Sequence, residues 1–145
     1  MTLLRGTLIN FWHHLGIFKI VNVFLDHFLT LFHSAFVLFI LTGWMFKSTR
    51  KTHIIAIGLT VMAWLGIGWY IGVIGYCPLT DWHWDIKLEL GERNISSSFI
   101  EYMLEKITGL DLNRKLVDVG TAVGLILSVL CAGYVNLRAR FSKKD

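Results

Sequence analysis

This 145-residue chain contains one proline, Pro78, and two cysteines, Cys77 and Cys131. With so little proline and no low-complexity run, nothing marks a linker, and the length suits one small domain. Two cysteines exclude the disulfide framework of a small secreted scaffold. Charge is scarce as well: Asp, Glu, Lys and Arg together make up 17% of the chain. From Ile54 through Tyr76, 23 residues pass without Asp, Glu, Lys, Arg, His, Asn or Gln. There is also no phosphate-binding glycine loop and no serine-hydrolase elbow, so neither of those chemistries has its signature.

Apolar surface is what the chain has in quantity: 54% of residues are hydrophobic and the mean hydropathy is +0.58. As a helix rising about 1.5 Å per residue, Ile54–Tyr76 reaches about 35 Å, against about 30 Å of membrane hydrocarbon. A buried helix of a soluble protein rarely runs so far without a polar face. Phe28–Phe46 is also uncharged, although His33 interrupts it and Asp26 and His27 stand at its start. Val119–Val135 is uncharged too, before Asn136 and Arg138. The expectation is an all-α integral membrane protein with a single membrane domain over 1–145. Its three transmembrane helices fall near 24–46, 54–76 and 118–137. Within Met1–Asn22, Leu4, Leu8, Phe11, Trp12, Leu15 and Phe18 recur at helical spacing, and no small-residue cleavage site follows. That pattern predicts an N-terminal interfacial helix rather than a removable signal peptide.

The formal charge of +4 is placed to orient the chain in a membrane and not to bind nucleic acid. Lys47, Arg50 and Lys51 follow the first span, and Arg138, Arg140, Lys143 and Lys144 follow the third. With three spans both clusters fall on one side, which the positive-inside rule makes cytoplasmic. The opposite side receives the N-terminus and the 77–116 segment, where seven acidic residues offset five basic ones. The expected location is the bacterial inner membrane, N-terminus outside and C-terminus in the cytoplasm. Cys131 then lies deep in the third span while Cys77 stands at the outer surface, beyond disulfide reach.

The 77–116 segment predicts a short amphipathic helical layer on that outer side. Ser98-Phe99-Ile100-Glu101 reads as a capping box and Gly109 as a stop. Phe99, Met103 and Ile107 form its apolar stripe. Residues 86–90 alternate like a strand, yet a lone strand would have no partner, which favours a helix.

Polar groups gather at the same end. Asn22, Asp26, Thr30 and His33 follow steps of four, four and three and so share a helix face. From this face Asp26 and His33, with Cys77, Asp81, His83 and Asp118, form a candidate polar site in the outer half of the membrane. An ionisable group at such depth is costly unless it faces protein or water. His33 could act as a proton carrier or metal ligand, or could simply hydrogen-bond a carbonyl or carboxylate between packed helices. Asp26 and Asp118 are equally readable as helix-start carboxylates, and Trp82 and Trp84 as interfacial aromatics. His33, Cys77 and His83 are candidate metal ligands at a spacing that only weakly resembles a zinc site. Haem is disfavoured, because the second and third spans contain no histidine. Gly68, Gly72 and Gly75 place small residues on one face, which permits close helix packing within the chain or in a dimer.

Around these residues the sequence resembles a family of small bacterial multi-pass membrane proteins classed as a domain of unknown function. The resemblance rests on His33 with Phe36-Val37-Leu38-Phe39, on Gly43-Trp44, and on Gly75-Tyr76-Cys77-Pro78-Leu79-Thr80. It extends to Ser98-Phe99-Ile100-Glu101 and covers roughly Leu25 to Arg140. Many members resemble Phe-Ile-Glu-His-Tyr where this chain reads Phe99-Ile100-Glu101-Tyr102-Met103. A site built on that histidine would need His83 in its place. The resemblance implies an architecture and no activity. The expected role is a small subunit or accessory protein packing in a larger membrane assembly, since no complete catalytic set is present. The alternatives are a membrane-embedded metal-binding or redox enzyme with an outward-facing Cys/His/Asp site, and proton or small-solute transport as a homo-oligomer. The expected partners are the lipid bilayer and a membrane protein or a second copy, with no nucleic acid.

Overall fold

The structure, a computed structural model, describes residues 16–73 and 75–141. Those residues form helices joined by short turns, with no strand among them. The order is α1 (Ile17–Thr42), a 3-10 turn (Gly43–Met45), α2 (Arg50–Val61), a π-helical stretch (Met62–Ile67) and α3 (Gly68–Ile71). Then come α4 (Pro78–Glu89), α5 (Phe99–Thr108) and α6 (Arg114–Phe141). Three helical stretches, Ile17–Met45, Arg50–Ile71 and Arg114–Ala139, are long and apolar enough to cross a membrane. The first begins well before residue 24, so 17–23 belongs to α1 and is no separate element. The rest of the expected interfacial helix lies outside the described residues.

The core is small and sits where α1, α2 and α6 meet. Ile40, Ala56, Ile57 and Ala132 form it, with Phe36, Phe39, Trp44, Val61 and Leu125 packed around them. The last carbonyls of a helix lack partners of their own, and here side chains supply them. Trp44 Nε1 donates to the Leu41 carbonyl at 2.9 Å, and Thr49 Oγ1 donates to that of Gly43 at 2.7 Å. The Ile40 carbonyl accepts from His53 Nε2 at 2.8 Å and from the Ser128 hydroxyl. One carbonyl thus ties α1 to both other long helices. His53 is wholly buried in this knot.

The second long helix ends differently from the glycine-face expectation. Gly72 adopts φ 82°, and the Val73 N–H turns back to the Gly68 carbonyl at 2.8 Å. A left-handed residue at that point closes a helix and suits glycine. Gly72 and Gly75 therefore lie in the chain reversal and not on a helix face, and only Gly68 is helical. A methyl group on Gly68 would stand 2.6 Å from the Val73 carbonyl oxygen, a backbone atom that cannot give way. Gly68→Ala is expected to cost about 1–3 kcal/mol through this overlap. Gly58→Ala, at a helical position with open space around it, should be neutral or slightly stabilising. Thermal melts of the two variants in one detergent check the contrast.

Pro78 occupies the first turn of α4 with Asp81 in the same turn, both favourable at a helix start. The strand-like 86–90 run is mostly helix, as expected from its lack of a partner. In α5, Ser98 Oγ accepts from the Glu101 N–H at 3.3 Å, and the Glu101 carboxylate accepts from the Ser97 N–H at 3.0 Å. The capping box is present, with its return bond shifted by one residue. Gly109 closes the helix at φ 70°. The buried face of α5 carries Phe99 and Tyr102 rather than the expected Phe99–Met103–Ile107 stripe, for Ile107 is 74% exposed. Both α4 and α5 lie on the long helices: α4 packs along α1, and α5 against α6.

Candidate functional site

Helix α4 runs antiparallel to the first half of α1, and polar pairs join them at successive turns. Asn22 Nδ2 donates to Glu89 Oε2 at 2.7 Å. One turn on, Asp26 Oδ1 receives His83 Nε2 at 2.7 Å and Lys87 Nζ at 2.9 Å. Thr30 Oγ1 donates to the Asp26 carbonyl at 2.8 Å and lies 3.4 Å from His83 Nε2. His83 and Lys87 are four apart on α4, which is why both reach the same carboxylate.

The cluster continues away from α1. Lys87 Nζ also bonds Glu92 Oε2 at 3.0 Å and stands 4.6 Å from the centre of the Tyr102 ring. The Tyr102 hydroxyl donates to Glu92 Oε1 at 3.1 Å and accepts from Lys106 Nζ at 2.7 Å. Asp26 and Glu92 carry two negative charges, Lys87 and Lys106 two positive ones, so the group is neutral as a whole. Lys87 is only 2% exposed, and burial opposes its charge. Tyr102 beside it and the carboxylates of Asp26 and Glu92 outweigh that penalty and hold its pKa above the ordinary lysine value. Lys87 is a permanent cation between two acids.

His83 is 0% exposed and behaves in the opposite way. Burial disfavours its imidazolium more strongly than the Asp26 carboxylate favours it, so its pKa lies below the usual 6.5. The geometry shows why. With Nε2–H donated to Asp26, a second proton would go to Nδ1, which is buried and has no acceptor. A depressed folded-state pKa means the unfolded chain takes up the proton first, so folding stability falls as pH drops through about 6.5. Melts between pH 7.5 and 5 should show this loss, and His83→Gln should flatten the slope in that window.

His33 sits one turn beyond Thr30. It stacks flat on Phe99 of α5, with ring centroids 4.0 Å apart and planes 8° apart. Its Nδ1 is buried and bonds neither the carbonyl nor the carboxylate expected from sequence. Phe99 also approaches His83, at 6.1 Å, and His83 approaches Trp84, which in turn meets Tyr102 edge-on. Trp84 is therefore a wall of this cluster.

The other expected site residues stand elsewhere. Asp81 is exposed and accepts from the Tyr76 hydroxyl at 2.9 Å, a bond that raises the Tyr76 pKa. Asp118 is exposed on α6, 3.6 Å from Arg114 one helical turn earlier. Cys77 caps α4 from an extended conformation without a side-chain bond, and both cysteines are free thiols. Among the described residues no hydrogen bond or ion pair joins Cys77, Asp81 or Asp118 to Asp26, whose partners are His83 and Lys87. Among the described residues no three of His, Cys, Asp and Glu lie close enough together to hold a metal ion. Lys87, Glu92, Tyr102 and Lys106 went unrecognised in the sequence. Their signal was the four-residue step from His83 to Lys87, facing an acid on α1.

An all-helical chain, with three membrane-length apolar helices and a neutral ionic cluster clasping two short helices to them, is a helical membrane-associated protein. More narrowly, the chain belongs to the family described as a protein of unknown function (DUF2784), whose model matches residues 23–136. That match includes the whole ionic cluster from Asp26 to Lys106. No match was found among curated proteins or among solved structures.

Proposed function

We propose that this protein is a multi-pass integral protein of the bacterial inner membrane that acts as a small non-enzymatic subunit of a larger membrane assembly. The observation that carries this reading is the far half of the second span. Met62, Leu65, Trp69, Tyr70 and Ile71 there are all exposed, Trp69 by 82% and Tyr70 by 91%. Gly58 and Gly66 on the same helix have nothing within 4 Å of the place a Cβ would take. Small residues let another helix approach closely in lipid, where apolarity alone gives no drive to associate. The ionic cluster fits the same reading, because its charges pair with one another and clasp α4 and α5 to the long helices. The basic clusters 47–51 and 138–144 support a cytoplasmic C-terminal side, with α4 and α5 outside.

A photo-crosslinking residue at Tyr70, used in native membranes, tests the assembly. A discrete protein adduct, absent from a probe at Leu31, is the expected result; lipid adducts alone from both positions would end the proposal. Impermeant maleimide applied from outside should label Cys77 and spare Cys131. Labelling of Cys77 only after the membrane is permeabilised would overturn the orientation.

A further inference from the structure

We propose that the groove between α2 and α6 binds one acyl chain of an anionic phospholipid, with its phosphate held by Arg50 and Lys51. This rests on the reading of the chain as an integral membrane protein and adds a specific lipid site to it.

The groove has a volume of about 230 Å³ and is lined by Ile54, Ile57, Val129, Ala132, Gly133 and Asn136. Ile57 and Ala132 are buried and form its floor, while Ile54 and Val129 are exposed and form its walls. Gly133 has open space where a side chain would stand. Val129 to Asn136 covers about 10 Å of helix. A slot of that length, smaller than the ~300 Å³ of a compact drug-sized site, suits a single hydrocarbon chain.

The mouth of the groove supplies the charge. Arg50, Ile54 and Ile57 follow steps of four and three, so the cation shares the groove's face of α2. Lys51 precedes Ile54 by three residues. Arg50 Nε has no hydrogen-bond partner in the chain, so a phosphate at the guanidinium meets no competing acceptor there. No acid competes for it nearby in sequence: none occurs between Asp26 and Asp81, and Asp145 alone follows Asp118. α2 begins here without an acidic first turn or a side-chain cap, so its N–H groups favour an anion as well. Apolar slot and unopposed cations together specify a lipid with an anionic head, where a partner helix would need only the slot.

The test uses the full chain reconstituted in nanodiscs of equal phosphatidylglycerol and phosphatidylcholine, with retained lipid counted by native mass spectrometry. Wild type should retain phosphatidylglycerol over phosphatidylcholine by about tenfold, a difference of about 1.4 kcal/mol. Arg50→Gln should bring the two lipids to parity. Gly133→Leu, which fills the slot and leaves the cations in place, should lower retention of both. Leu31→Ala, on an exposed face of α1 outside the groove, should change neither. Parity in wild type, a preference unchanged by Arg50→Gln, or retention unchanged by Gly133→Leu overturns the proposal. So does full competition by inorganic phosphate, which would show that the acyl chain contributes nothing, or conversion of Gly133→Leu from oligomer to monomer with lipid retained. Release of the protein from membranes by alkaline carbonate would instead sink the membrane reading itself.

Discussion

Lys87→Ala is expected to destabilise the protein by about 3 kcal/mol and to free α4 from α1. Removing one partner of a buried ion pair typically costs 3–5 kcal/mol, because the other charge stays buried without compensation. Here two carboxylates are stranded together, Asp26 at 2.9 Å and Glu92 at 3.0 Å from the missing ammonium. The side chain of Asp26 is 18% exposed and that of Glu92 36%, so water relieves part of the penalty and the lower end of the range applies. Hydrogen exchange should show α4 losing protection while the Ile40–Ala132 core keeps it. The double variant Asp26→Asn/Lys87→Met replaces the ion pair by neutral groups of similar volume and should recover more than half of the loss. If Lys87→Ala costs under about 1 kcal/mol and the double variant is simply additive, the ion pair does not hold α4 in place.

His53→Ala comes next in size, at about 2–4 kcal/mol, chiefly from the cavity left by a wholly buried ring. The ring meets Phe39 edge-on at 5.6 Å and closes over Gly43, where a Cβ would stand 2.6 Å from His53 Cδ2. Its hydrogen bond adds little on its own, since Ser128 still serves the Ile40 carbonyl. Ser128→Ala alone should cost about 1 kcal/mol for the same reason. Together the two substitutions strip both side-chain donors from a buried carbonyl. The double variant should therefore exceed the sum of the singles by about 1 kcal/mol or more. A strictly additive melt would mean that the carbonyl finds another donor.

The three long helices were legible because the feature that defines them is local. An uncharged run of some twenty residues marks a membrane-length helix wherever it packs. Their ends were less legible. The Ile17–Met45 stretch, 29 residues long, measures about 43 Å, more than the hydrocarbon requires. Residues 17–23 thus extend the same helix beyond the apolar run that marked it. Gly68 and Gly72 at a four-residue step look like a packing face only if the helix continues. Gly72 in a left-handed conformation ends it, and nothing in the spacing distinguishes the two cases.

The polar stripe Asn22–Asp26–Thr30–His33 was readable because one helix fixes its geometry. Its partners were not. Lys87 lies on a short helix of mixed polarity, with no local pattern to mark it as buried, yet docking against α1 buries it almost completely. Asp118 and Asp81 read as members of the site; both are exposed, with Arg114 and Tyr76 as their partners.

The sequence by itself determined the helical class, the three apolar stretches and the family. Hydropathy and helix periodicity follow from residues close together along the chain. The tertiary structure decided which charges meet: Asp26 with His83, 57 positions away, and with Lys87 beyond it. An ion pair needs its charged atoms within about 4 Å, and only the packing of helices brings residues so distant in sequence that close.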